Sequence, residues 1–207
     1  MNPANKSRHD PTAAGDNHHS PEPSPWVERF APLIIEAGGG GKAWALDIAC
    51  GDGRHTRLLA SLGILVMAID RDVAGLRDLG ARDDVEIIEA DLETPQDGAY
   101  GLPIEGRGFD GIVITNYLFR PLFPAIFAAL NPGGILIYET FAAGNENIRR
   151  PRNPDHLLTR GELLERVGGG FHVIAFEEGM VTGPSPAVIQ RICAAKSPAS
   201  DIQTLRL

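Results

Sequence analysis

The residues of this chain whose types and spacing could do chemistry are three carboxylates grouped around a glycine-rich bend. The segment ALDIACGDGRH, residues 45–55, carries an apolar strand into a turn containing Gly51 and Gly53, and a helical stretch follows. Glycine accepts backbone angles and close contacts that a side chain forbids, and the helix start beyond it offers unpaired N–H groups. Asp47 sits at the end of the strand, before the bend, where a carboxylate can attract a cationic or amine-bearing ligand. Asp70 closes the next apolar run, and Asp91 closes the one after it, in IIEADLE. An acid roughly 20 residues beyond such a bend commonly accepts hydrogen bonds from ribose hydroxyls. All three carboxylates end strands, and the ligand crevice of an open α/β sheet lies at the carboxyl ends of its strands.

The elements that must position these groups alternate. Strands are predicted over 43–49, 64–70, 85–91, 109–115 and 134–140, with helices over 53–63, 73–80, 118–130 and 159–169. Thr159 and Glu162 have capping-box spacing for the last helix. Two further strands, 171–179 and 187–195, lack an intervening helix and should pair antiparallel. Near-continuous apolar strands between helices imply a buried sheet. The expectation is an α/β fold: a Rossmann-like, seven-stranded, mostly parallel sheet with an antiparallel closing strand, in three α/β/α layers. Residues 1–24 read as a polar, Pro-rich disordered tail, 25–195 as the domain and 196–207 as a C-terminal tail. Near the start, Trp26, Phe30, Leu33 and Ile34 share a helical face that Pro32 interrupts.

Composition narrows the class. The chain has 207 residues, 43% of them hydrophobic, which suits one domain with a full core. No apolar run approaches the roughly 18–20 residues of a membrane span, and the polar N-terminus has no secretory signal pattern. Two distant cysteines, Cys50 and Cys193, form neither a disulfide framework nor a zinc spacing. A cytoplasmic protein with no metal and no membrane partner is expected. A net charge of −8 argues against a large nucleic-acid partner, although the arginines at 149, 150 and 152 leave a short RNA element open.

With these residues in view, the chain resembles the class I S-adenosylmethionine-dependent methyltransferases over roughly residues 25–195. The family's acidic-x-Gly-x-Gly-x-Gly motif appears as Asp47–Ile48–Ala49–Cys50–Gly51–Asp52–Gly53, with Ala49 replacing the first glycine. Asp70 matches the ribose-binding acid. Asp91 matches the acid at the adenine edge, with Leu92 supplying a backbone group. FDGIVITN and ALNPGGILIYET match the fourth strand and the turn into the fifth. The resemblance implies S-adenosylmethionine as cofactor, held by Asp47, Ala49, Gly51, Gly53, His55, Asp70, Arg71, Asp91, Leu92 and Asn116. A nicotinamide dinucleotide fits less well, because Thr56 stands at the third glycine of that fingerprint and Asp47 and Asp52 would repel a pyrophosphate. The small size is similar to the tellurite-resistance and thiopurine-type members, which act on small molecules.

Methyl transfer from a sulfonium is an in-line displacement that asks mainly for alignment and exclusion of water. Acceptor residues therefore leave little trace in sequence. Asn116, Tyr117 and Glu139, at the ends of strands four and five, are the catalytic candidates. Thr115–Asn116–Tyr117–Leu118 lacks the two prolines of the exocyclic-amine subclass. The polar stretch 143–156 reads as a lid or a substrate loop, with Asn145, Arg150 and Asn153, together with Arg120, as candidate substrate ligands. The leading expectation is a small-molecule acceptor. An RNA or protein acceptor and a non-catalytic donor-binding module are the alternatives, since a fold alone does not establish chemistry.

Overall fold

In the computed structural model, the structure describes residues 22–95, 98–182 and 185–198. The expected tails at 1–21 and 199–207 and the pair His18–His19 lie outside them. Seven strands form one sheet: β1 (Trp44–Ile48), β2 (Leu65–Asp70), β3 (Val85–Glu89), β4 (Phe109–Thr115), β5 (Leu130–Phe141), β6 (Phe171–Val181) and β7 (Ala187–Lys196), in the order β3-β2-β1-β4-β5-β7-β6. Pairs among β1 to β5 are parallel, and β7 runs antiparallel between β5 and β6. The seven-stranded, mostly parallel expectation is met. The chain winds outward from β1 through β2 to β3, then returns to lay β4 and β5 on the other flank. The β1–β4 boundary is thus the point where strand order reverses, and ligands of open α/β sheets bind there.

Apolar side chains on the two sheet faces meet two separate layers. One cluster contains Leu46, Ile48, Met67, Ile112, Ile114, Leu136 and Tyr138, with Phe123 and Ile126 from α4 (Phe123–Ala129). The other contains Val66, Val113 and Ile137, with Trp26, Val27, Phe30 and Ile34 from α1 (Pro25–Phe30) and α2 (Pro32–Ala37), and Leu59 from α3 (Arg54–Ser61). Gly111 in β4 leaves room for Ile34, since a Cβ there would stand 2.4 Å from Ile34 Cδ1.

Several elements are shorter than the spacing predicts. Pro32 splits the N-terminal helix at Ala31. The stretch 73–80 is a 3-10 turn over Ala74–Leu79 rather than an α-helix. The helix expected over 118–130 is only α4, preceded by a 3-10 turn at Arg120–Leu122, because Pro121 and Pro124 are accommodated only in first turns. The last helix shrinks to α5 (Glu162–Val167), between Gly161 at φ 69° and Gly168 at φ 47°. Strand β5 starts four residues early, at Leu130, which pairs with Phe109 across an irregular register.

The domain limits also move. Ser24 is 6% exposed and its side chain caps α1, so the boundary drawn after residue 24 cuts through fixed structure. At the other end β7 runs to Lys196, whose Nζ donates to the carbonyls of Phe127 and Leu130 at 2.6 Å. Among the described residues, no helix is long and apolar enough to cross a membrane.

Candidate active site

The glycine bend is shaped by left-handed backbone at alternate positions: φ is 53° at Ala49, 54° at Gly51 and 73° at Gly53. Ala49 therefore occupies an angle that glycine adopts more easily. The two glycines have different duties. The Gly51 N–H donates to Asp70 Oδ2 at 2.8 Å, tying the bend to the tip of β2. A Cβ on Gly53 would stand 2.2 Å from Leu76 Cδ2, so that glycine makes room for the 74–79 turn.

The three carboxylates do not face the same way. Asp70 is half-buried, and its second oxygen accepts from the Asp72 N–H at 3.0 Å. Asp91 is exposed, and its oxygens accept from the Glu93 N–H at 2.9 Å and the Thr94 hydroxyl at 3.1 Å. Each of these four oxygens keeps a lone pair, as a carboxylate that takes ligand hydroxyls must. Asp47 is different. It is 1% exposed and accepts from the Thr56 hydroxyl at 2.6 Å. Burial pushes its carboxyl up to about 7, against the opposing hydrogen bonds from Thr56. The expected attraction of a cationic ligand by Asp47 is corrected: this carboxyl turns inward and holds the first turn of α3. Leu92 is buried in the main cluster and Arg71 is exposed beside Asp70. The Cys50 thiol is pushed well above its ordinary range, first by burial and then by Asp47 and Asp70, which suits a packing residue.

His55, expected at the donor's carboxylate, is instead an anchor. It is 1% exposed, and its Nε2 accepts the Ser24 N–H at 3.0 Å. That bond places the ring proton on Nδ1, which lies 3.3 Å from the Thr115 hydroxyl. The Ser24 hydroxyl in turn donates to Glu139 Oε1 at 2.8 Å, while Arg191 donates to Glu139 Oε2 at 3.2 Å. Trp26 Nε1 donates to the Ile192 carbonyl at 3.3 Å, and the Arg191 guanidinium lies 4.7 Å from the Trp26 ring centroid. Residues 22–26 are thus drawn across the tips of β4 and β5. Glu139, expected as a base, has a donor on each oxygen and fixes this stretch.

Asn116 is exposed at the tip of β4, where φ is 56° and its N–H donates to the Glu139 carbonyl at 2.9 Å. Tyr117 turns back into the protein and packs against the main cluster. The expected substrate ligands are largely committed elsewhere. Arg120 donates to both carboxylate oxygens of Glu162, at 2.9 and 2.8 Å, and to the Asp155 and Leu157 carbonyls, each at 2.8 Å. It locks α5 to the loop before it. Asn145 is fully buried: its amide donates to the Arg149 and Pro151 carbonyls and its oxygen accepts from the Val188 N–H. Asn153 caps a 3-10 turn through the Asp155 N–H, and Arg150 is exposed. The 143–156 segment is closed at its neck by the Ala142–Leu158 bridge. Within it, the Asn145 side chain has its amide and its carbonyl oxygen engaged by the protein.

Two groups were missed. Arg54, the first residue of α3, has its guanidinium pulled down by burial and back up by Glu139 and Asp47, and it reaches the Glu22 carbonyl at 3.3 Å. Its place directly after the bend was a readable signal, because first-turn residues flank the crevice. Ser24 was also readable, as a Ser before Pro at a helix start.

Geometry and comparison now converge. The fold defines a doubly wound nucleotide-type α/β protein with acidic strand tips at its reversal point. Residues 46–138 match the family model described as a methyltransferase domain. No curated protein matches the chain in sequence. Among solved structures it is similar to TehB from Haemophilus influenzae, with a TM-score of 0.59, 17% identity, and coverage of 80% of this chain and 62% of that one. The chain thus spans about 62% of the length of TehB. It is also similar to a Methanosarcina mazei S-adenosylmethionine-dependent methyltransferase, with a TM-score of 0.61, 19% identity, and coverage of 86% and 99%. A third likeness is to the Burkholderia thailandensis 1,6-didemethyltoxoflavin-N1-methyltransferase bound to 1,6-didemethyltoxoflavin and S-adenosylhomocysteine, with a TM-score of 0.57, 20% identity, and coverage of 83% and 78%. At these identities the likenesses establish the fold. The fold is thus one that S-adenosylmethionine-dependent methyltransferases share, with a methyltransferase-domain match over residues 46–138.

The residues present would fit an S-adenosylmethionine molecule. Asp70 and Asp91 offer oriented carboxylate oxygens for hydroxyl and amino donors, and a buried tyrosine hydroxyl close by lacks a partner.

Proposed function

We propose that this protein transfers a methyl group from S-adenosylmethionine to a small-molecule acceptor, with the nucleoside held at the β2–β3 tips and the acceptor admitted near the β4–β5 tips. The observation that carries the reading is the Asp70 carboxylate at the tip of β2, fixed by the Gly51 N–H of the bend after β1 and by the Asp72 N–H. The donor, when bound, supplies a sulfonium-activated methyl. The protein's tasks are then to bind, orient and exclude water. Asp70 and Asp91 accept hydroxyl and amino protons of the nucleoside. Arg54, at the start of α3, faces the donor's carboxylate end. Asn116, exposed at the tip of β4, is the polar side chain placed to orient the acceptor.

A small acceptor is supported by the stretch 22–26, which Ser24 pins between His55 and Glu139, so that chain crosses the acceptor end of the crevice. The net charge of −8 agrees, as does the small heterocycle bound by the Burkholderia thailandensis enzyme.

Asp70→Ala tests the donor site. Charge-assisted hydrogen bonds contribute about 1.5–3 kcal/mol each, so affinity for S-adenosylhomocysteine should fall at least about tenfold in titration calorimetry. Unchanged affinity would remove the donor from this position. Turnover of S-adenosylmethionine with a metabolite pool, against RNA and protein pools, tests the acceptor class: methylation confined to RNA or protein overturns the small-molecule reading.

A further inference from the structure

We infer that Tyr117 belongs to the nucleoside half of the donor site, where its phenolic hydroxyl hydrogen-bonds the adenosine of the bound donor; this rests on the proposed function above. Among the described residues, Tyr117 Oη is the one buried side-chain polar atom without a hydrogen-bond partner. Buried hydroxyls are nearly always paired, so an orphan calls for an explanation.

The rest of the residue is held at both ends. Asn116, at φ 56°, folds the chain back at the tip of β4. From the fully buried Tyr138 in β5, Oη donates to the Tyr117 carbonyl at 2.9 Å. The Tyr117 ring packs against the main apolar cluster. A side chain anchored by its backbone and ring, yet unsatisfied at its tip, is preorganised for something that arrives.

The surroundings of the tip identify what arrives. The carboxylates of Glu93, Asp91 and Asp70, together with Arg71, lie close enough to act on the phenol electrostatically. Burial, then these carboxylates, raise its pKa well above the ordinary range, so it remains a protonated donor. Neither nearby aspartate takes its proton, since Oη has no hydrogen-bond partner. An adenosine lying on those two aspartates brings ring nitrogens and ribose oxygens that accept a hydrogen bond, which is what the phenol lacks. Tyr117 was expected to be a catalytic group near the methyl; its surroundings put it on the donor side instead.

Tyr117→Phe removes one oxygen and tests this directly. Wild-type and variant are titrated with S-adenosylhomocysteine and with methylthioadenosine, which lacks the amino-acid end, and both are melted without ligand. The expected result is an equal loss of about five- to tenfold for both probes, the size of one hydrogen bond, with a ligand-free melting temperature unchanged or raised. If wild-type binds both probes and the variant binds them equally well, the inference fails while the donor reading stands. A loss confined to S-adenosylhomocysteine would move the hydroxyl to the amino-acid end and overturn it, and a melting temperature lowered by several degrees would make Tyr117 a packing residue. If wild-type binds neither probe, the donor reading falls and takes this inference with it.

Discussion

An Asp47→Asn variant is expected to hold its stability as pH rises from about 5 to about 8, while the parent loses roughly 2–3 kcal/mol over the same range. The reason is the burial of Asp47, which raises its carboxyl from 3.8 to about 7. Between those two values the folded protein keeps a proton that the unfolded chain has released. Folding then takes up a proton, so stability falls with rising pH and levels off above the folded value. Asparagine carries no charge to bury, and its carbonyl oxygen can still accept from the Thr56 hydroxyl, which stands 2.6 Å from Asp47. Denaturant titrations of parent and variant at the two ends of the range decide the matter. Parallel profiles would mean that Asp47 titrates normally and faces solvent after all.

The second large effect is expected at Glu162, which is 4% exposed. Burial works against its ionisation, but donors from Arg120, Thr159 and Arg166 outweigh that and hold the carboxyl down to about 2. Glu162→Ala leaves two guanidinium groups and the Thr159 N–H without their acceptor. Removing one partner of a buried ion pair costs about 3–5 kcal/mol. Here the arginine side chains are 29% and 38% exposed, and water recovers part of that. A loss of about 2–4 kcal/mol is therefore expected. The pH dependence has the opposite sign to that of Asp47. The folded value lies below 4.5, so this contribution is complete above about 4.5 and disappears as pH falls towards about 2. Arg120→Ala should act through the same bonds, and the double variant should cost less than the sum of the two. If Arg120→Ala instead leaves stability intact and raises the KM of an acceptor, Arg120 is a substrate clamp and the structural account fails.

The two sites show why reading residues in order succeeds in some places and not in others. Asp47, Asp70 and Asp91 were legible as neighbours because each lies at or just beyond the end of a strand with a clear apolar run. Parallel strands with helical crossovers bring their carboxyl ends to one edge whatever the detailed packing. What the side chains do at that edge was not legible. Asp47 turns inward because Thr56, nine positions on in the first turn of α3, offers it a donor. Arg120 and Asn145 were read as substrate ligands on polarity alone, yet each has its hydrogen-bonding groups engaged within the protein. Polar residues of a long loop must first satisfy that loop's own buried backbone, and sequence does not show which residue will do so. Helix lengths were overestimated at 118–130 and 159–169 because apolar spacing continues through Pro121, Pro124, Gly161 and Gly168, whereas the backbone does not.

Order along the chain was sufficient for the class of fold and for the sheet edge at which the acidic strand ends gather. Both follow from local patterns: strand ends, a glycine bend and their succession. Contacts between distant residues decided the rest. Ser24 meets Glu139 across 115 positions and His55 across 31, and no local pattern encodes such a meeting. The same holds for Tyr117, whose hydroxyl is buried without a partner. Propensity and periodicity act over a few residues, but the partner of a buried polar atom is selected by the whole packed molecule.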